Sequence, residues 1–207
     1  MTGPGGEADT WLQDRPERWP AHGSEELFRR SAPFAVRLDE LSAPGHEERF
    51  SRLVVEHPGA VVVLAVDDDE RALVLRQYRH AASMRLVELP AGLLDQEGED
   101  PLEAARRELL EEGALMAAEW SHLSTIHNSP GITSERIELY LARGLTAVPD
   151  RGGFELEHEE ADMTVHWVPL TELVEGVLAR RLTNGPLVVA LLSYVTLTAR
   201  GALPRGR

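Results

Sequence analysis

The chain has 207 residues, 43% of them hydrophobic, no cysteine, and a formal net charge of −14 from 35 acidic against 21 basic side chains. That is enough apolar chain for one domain with a sizeable core, or for one domain plus an added lobe, while the lack of cysteine excludes disulfide frameworks, thiolate zinc sites and cysteine nucleophiles. The acidic balance argues against nucleic acid or an anionic membrane as partner, but leaves room for a small anionic substrate drawn by local arginines or a bound metal.

Residues 1–25 are rich in Gly, Pro and charge and are expected to form a mobile tail, without the apolar stretch of a secretory signal. No apolar run approaches the roughly 20 residues of a membrane span, and a cytoplasmic protein is expected. FAVRLDEL (34–41) and ERFSRLVVEH (48–57) alternate apolar and polar residues as half-buried antiparallel strands do. AVVVLAVD (60–67) is a continuous β-branched and apolar run, the pattern of a strand buried on both faces. After the polar turn Asp67–Glu70, RALVLRQYR (71–79) is expected to return as its hairpin partner, and LVELPAG (86–92) reads as one short strand. Asp100, with Pro101 behind it and Glu103 three residues on, marks a helix start and a helix running to about Gly113. WSHLSTIHNS (120–129) and RIELYLARGL (136–145) read as strands around Pro130-Gly131, RGGFELEHEEAD (151–162) as a long polar loop, and MTVHWVPL (163–170) as a strand. TELVEGVLARR (171–181) and PLVVALLSYVTLTAR (186–200) close the chain as helices, with a short tail over 201–207. This order predicts an α/β or α+β domain over 58–200, a mixed sheet covered by helices, preceded by a small N-terminal antiparallel sheet over 26–57.

The helix RRELLEEGAL (106–115) carries Glu108, Glu111 and Glu112 at i, i+3 and i+4, so three carboxylates share one face while Leu102, Ala105 and Leu109 form the other. Taken alone, such a cluster is most simply a solvated acidic stripe. The alternative is a site for a hard divalent cation, for which convergent carboxylates plus substrate phosphates are the usual surroundings. The flanks decide between them. GLLDQEGEDPLEAARRELLEEGAL (92–115) resembles the box of the Nudix hydrolase superfamily, G-x5-E-x7-R-E-U-x-E-E-x-G-U with U aliphatic. Gly92, Glu99, the run Arg107 to Glu112 and Leu115 match it. Two departures stand out: six residues separate Gly92 from Glu99, and Ala114 occupies the last glycine of the pattern. RQYRH and ELPAG just before the box, with NSPGITSERIELYLAR (128–143) and EHEEADMTVHWVPL (157–170) after it, resemble the ADP-ribose pyrophosphatase branch, over roughly residues 28–200.

The resemblance implies a Nudix α/β/α sandwich and Mg²⁺- or Mn²⁺-dependent hydrolysis of ADP-ribose to AMP and ribose 5-phosphate, with two or three ions per site. It implies Glu108, Glu111 and Glu112 as metal ligands together with the Ala91 carbonyl, and Arg107 as the residue that orients the glutamates. The catalytic base is expected in the loop after the paired strands, at Glu159 or its neighbour Glu160. Arg79 and Arg85 are candidates for phosphate or ribose contacts, since arginine suits bidentate phosphate recognition. Gly131 is a candidate for close backbone approach to substrate. Phe34 and Tyr78 are weighed as adenine-stacking residues against their commoner role in a core, and no histidine is assigned a metal. The branch also implies a homodimer with exchanged N-terminal strands and a small-molecule partner, a nucleoside diphosphate sugar, with neither nucleic acid nor membrane. Other readings are hydrolysis of a different nucleoside diphosphate sugar and, in another class, a non-catalytic ADP-ribose sensor. The isomerase that shares the fold relies on a cysteine absent here.

Overall fold

The computed structural model describes residues 12–30, 33–149 and 162–203. Its elements are β1 (Ala21–Arg29), β2 (Ala35–Ser42), β3 (Arg49–Glu56), β4 (Ala60–Ala65), β5 (Arg71–Arg79), β6 (Met84–Glu88), β7 (Ala91–Leu93), helix α1 (Pro101–Gly113), β8 (Leu115–His127), β9 (Arg136–Ala147), β10 (Thr164–Pro169), and helices α2 (Leu170–Leu178) and α3 (Gly185–Ala199). They form three sheets, with strand orders β1-β2-β3, β10-β5-β6 and β7-β4-β9-β8. In the central sheet β4 pairs with β9 in parallel and the other pairs are antiparallel, so this sheet is mixed, as expected.

All six residues of β4 are buried, because both faces of its sheet are covered. Val61, Val63 and Ala65 pack with Ala104, Ala105 and Leu109 of α1. Val62 and Leu64 face the opposite layer, Leu187, Ala190 and Leu191 of α3 with Leu170 and Leu173 of α2. The period-two alternation of a strand sends neighbouring side chains into the two layers, which gives an α/β/α sandwich. Among the described residues no helix is long and apolar enough to cross a membrane.

Three local expectations are corrected. The stretch LVELPAG is two strands in different sheets: β6 ends at Glu88, and after Pro90 the chain enters the central sheet as β7. Proline brings no N–H to a ladder, but its carbonyl accepts from Val63 N at 2.8 Å, so the crossing point is tied to β4. The β4–β5 hairpin closes on one bridge only, Val66 with Ala72, after which β5 pairs with β6 and β10. Finally, β1 begins at Ala21, inside the stretch read as a tail. Its polar sequence AHGSEELFR has no alternation to betray it, and pairing with β2, Ser24 opposite Asp39, is what makes it a strand.

Candidate active site

The site grows from the start of α1. The Asp100 carboxylate accepts from Leu102 N at 2.9 Å and Pro101 takes the first turn, where its missing N–H costs nothing. Glu103 pairs with Arg106 along the exposed face. The buried face then fixes the helix rotation, and that rotation turns Glu108 and Glu112 inward; they are 8% and 6% exposed. Gly92 on β7 lies against Glu108 so closely that a Cβ there would sit 1.9 Å from the Glu108 carboxyl. The first glycine of the box is therefore space for a carboxylate, not a turn. Glu112 Oε2 accepts from the Ala91 amide at 2.9 Å. This places Ala91, Gly92, Glu108 and Glu112 on one wall.

Arg107 lies in the middle of a carboxylate set. It donates to Glu99 through Nε and Nη2, each at 3.1 Å, and through Nη1 to Glu108 at 2.5 Å and Glu111 at 3.2 Å. Its hydrogen bonding to Glu99 and the surrounding carboxylates hold its proton more firmly than usual. Glu99 thereby gains a role: it anchors the arginine that holds Glu108 and Glu111. Glu108 is pushed up to about 7, chiefly by burial, with Arg107 opposing and Glu111 adding to the shift.

These residues face a cavity of about 680 Å³, bounded also by Phe34, His57, Gln77, Arg79, Glu88, Asp95, Asn128, Glu135, Asn184 and Pro186. Arg79 lines it, held by Glu88: Nε and Nη2 donate to the Glu88 carboxylate at 2.7–3.2 Å, while Gln77 Nε2 gives Glu88 a further bond at 3.1 Å. Arg85 lies away from the lining, paired with the Asp162 carboxylate and carbonyl. Gly131 is in an open turn, and of that connection Asn128 and Glu135 line the cavity instead. Tyr78 is outside the lining, with its hydroxyl 3.4 Å from His80 Nδ1, whereas Phe34 is within it. Glu159 and Glu160 lie outside the described residues.

The donor set suits a hard divalent cation: buried carboxylates share one wall, and burial disfavours the charge on one of them, Glu108. Among the described residues no three Asp, Glu or His side chains are already gathered around one point. Arg107 and the Ala91 amide hold the carboxylates that an ion would draw together. The sequence reading did not single out Glu88, Asp95, His57 and Glu135. Glu88 stood in the quoted ELPAG motif, where it could have been weighed; the others carry no local signal and meet the site only through the fold.

The chain is similar to known proteins over much of its length. The family model described as NUDIX domain matches residues 56–188. An ADP-ribose pyrophosphatase of Mycobacterium tuberculosis is 42% identical over 182 residues, covering 88% of this chain and 86% of that protein. An ADP-ribose pyrophosphatase of Bacillus subtilis is 37% identical, covering 68% and 74%. Among solved structures, a crystal structure of an ADP compounds hydrolase superposes with a TM-score of 0.73 over 92% of this chain and 100% of that one, at 21% identity, a likeness of fold.

Proposed function

The chain belongs to the NUDIX domain family, and from that premise we propose that it hydrolyses the diphosphate bond of ADP-ribose to AMP and ribose 5-phosphate. The observation that carries this reading is the pair of buried carboxylates Glu108 and Glu112, set against Ala91 and Gly92 and opening into a cavity of nucleotide size. The 42% identity to an ADP-ribose pyrophosphatase over most of both chains supports the substrate.

Divalent ions, which this family generally requires, neutralise bridging phosphate charge and ease deprotonation of the attacking water. By resemblance to this family we assign Mg²⁺ or Mn²⁺, two or three per site; the lining supports cations as such, with Glu88, Asp95, Glu108, Glu111, Glu112 and Glu135 against Arg79 and Arg107 among the described residues. A diphosphate would deepen that excess unless cations came with it. Glu108, Glu111, Glu112 and the Ala91 carbonyl are the ligands in this reading. Arg107, fastened to Glu99, keeps Glu108 and Glu111 from splaying apart. Arg79, fastened to Glu88, presents a planar guanidinium to the diphosphate. Glu159, or Glu160 beside it, takes the proton of the attacking water, an assignment that rests on the sequence of the loop joining β9 to β10. Arg85 is left to hold the end of that loop through Asp162.

A homodimer with exchanged N-terminal strands is part of the same proposal. Every residue of β1 is exposed, and Leu27 and Phe28 stand 49% and 56% exposed on a strand that, among the described residues, pairs on one edge with β2 alone. Light scattering at micromolar concentration is expected to give twice 22.9 kDa; the single-chain mass would remove the dimer.

The test of the activity is a panel of nucleoside diphosphate sugars with Mg²⁺ and Mn²⁺ and identified products. ADP-ribose is expected to give AMP and ribose 5-phosphate with the highest kcat/KM, and chelator to abolish it. A higher kcat/KM for another sugar would replace the substrate, and no hydrolysis of any would revive the sensor reading. Of Glu159→Gln and Glu160→Gln, one is expected to lower kcat by about 100-fold or more with folding intact, in the range of general-base loss.

A further inference from the structure

The cavity has a second charged feature that the box does not explain. The β3–β4 and β8–β9 connections contribute His57, Asn128 and Glu135 to its wall, next to Phe34 and Ile137. The end of β3 and the residue after it are tied to the β8–β9 connection: His57 N donates to Ser134 Oγ at 3.0 Å, Val55 N to the Ile132 carbonyl at 2.7 Å, and Ser134 N to the Val55 carbonyl at 3.1 Å. The Gly59 amide donates to His57 Nδ1 at 3.0 Å, so the ring carries its proton on Nε2, which faces Glu135 Oε1 at 3.4 Å. The Phe34 ring covers the imidazole at 5.0 Å. Burial holds the His57 proton affinity below its ordinary value, against the pull of Glu135, so the imidazole is neutral near pH 7. Glu135, its side chain 18% exposed, has no charge-neutralising partner in His57, and its backbone is fixed by donation from its amide to Thr133 Oγ1 at 3.1 Å.

The arginines nearby are engaged elsewhere. Arg79 holds Glu88, Arg107 holds Glu99, Glu108 and Glu111, and Arg136 pairs with Glu138. A hydroxyl arriving at Glu135 can donate a hydrogen bond to it. A phosphate monoester, carrying about −1.5 to −2 charge at neutral pH, meets a like charge in a partly enclosed space where salt screens weakly.

We propose that Glu135 is a specificity-determining residue of this cavity: its fixed charge admits nucleoside diphosphates flanked by uncharged groups and turns away those bearing an additional phosphate. This rests on the reading of the cavity as a diphosphate hydrolase site. The test compares kcat/KM for ADP-ribose, ADP-ribose 2′-phosphate and ADP-ribose 1″-phosphate, in the wild type and in Glu135→Gln, at one metal concentration. The wild type is expected to discriminate against at least one phosphorylated substrate by about 30-fold or more, and Glu135→Gln to narrow that ratio by about tenfold. Glu135→Ser provides the same ratio should Gln disturb the His57 contact. If both phosphorylated substrates are turned over within threefold of ADP-ribose, or if neither substitution moves the ratio, the proposal is wrong. A wild type inert toward ADP-ribose overturns the hydrolase reading itself, a result separable from an unchanged ratio.

Discussion

Ala114 shows how one residue departs from its family's pattern and what the departure costs. It holds φ +52° and ψ +41° as the residue after α1, the left-handed conformation for which the box otherwise supplies glycine. Its amide still closes on the Leu110 carbonyl at 3.0 Å, so the exit geometry is kept and the strain sits on its Cβ. Ala114→Gly is expected to stabilise the protein by about 1 kcal/mol, raising Tm by about 2–4 °C in a thermal melt. Gly92 is the opposite case. The three nearest atoms to a Cβ there all belong to the far end of the Glu108 side chain, which can swing aside. Gly92→Ala is therefore expected to fold with Tm within a few degrees of wild type, yet to lose about 100-fold or more in kcat/KM because the Glu108 carboxylate, proposed above as a metal ligand, has been displaced. The box residues and Arg107 were legible in the sequence because helical periodicity alone puts them on one face. His57 and Glu135 were not, since two connections far apart in the chain must first meet.

At the scale of elements, α1 and the β6–β7 break do the positioning. Gly113 packs so close to β5 that a Cβ would lie 2.8 Å from Leu73 Cδ2, which fixes how deep the helix sits. That depth desolvates Glu108 and has a pH signature without metal. The folded Glu108 carboxyl titrates at about 7 against an ordinary 4.5, so between these values the folded state binds more protons than the unfolded one. The Glu108 contribution to stability therefore falls as pH rises from about 4.5 to about 7 and stays at its lower level above. Measured in chelator, the Tm advantage of Glu108→Gln over wild type is expected to grow from pH 5 to pH 8; an advantage that shrinks over that range would show that Arg107 outweighs burial. The break at Pro90 is equally consequential. It leaves Glu88 in one sheet and Ala91 and Gly92 in another, so that one short segment supplies two walls of the cavity. A reading by alternation alone runs through that proline, because the apolar pattern does not record a change of sheet.

At the scale of the whole molecule, the cavity is an assembly of parts remote in sequence: Phe34 next to the N-terminal sheet, His57 at its junction with the main domain, Glu88, the box helix, Glu135, and Asn184 and Pro186 at the start of α3. Asn184 caps that helix by accepting from Leu187 N at 3.0 Å, which holds the last wall in place. Crowding of carboxylates on this lining makes the folded protein respond to cations as a unit. Millimolar Mg²⁺ is expected to raise Tm by several degrees at pH 8, through binding to the folded state alone. In the Glu108→Gln, Glu112→Gln double variant the rise should vanish; its persistence would move the ion-binding residues elsewhere.

The sequence by itself determined the family, the sandwich with its doubly buried β4, and the glutamate face of α1. These are written in short-range periodicity and spacing, which survive without knowledge of the partners. Tertiary structure decided which carboxylates become a site. Only packing of α1 on the sheet buries Glu108 against Gly92. Only the pairing of β6 with β5 sets Glu88 to grip Arg79, while Arg85 goes to Asp162. Only the docking of the β3–β4 connection on the β8–β9 connection puts His57 beside Glu135. The reason is the same each time: burial and charge pairing depend on what lies across the fold, and that is fixed by distances no local pattern encodes.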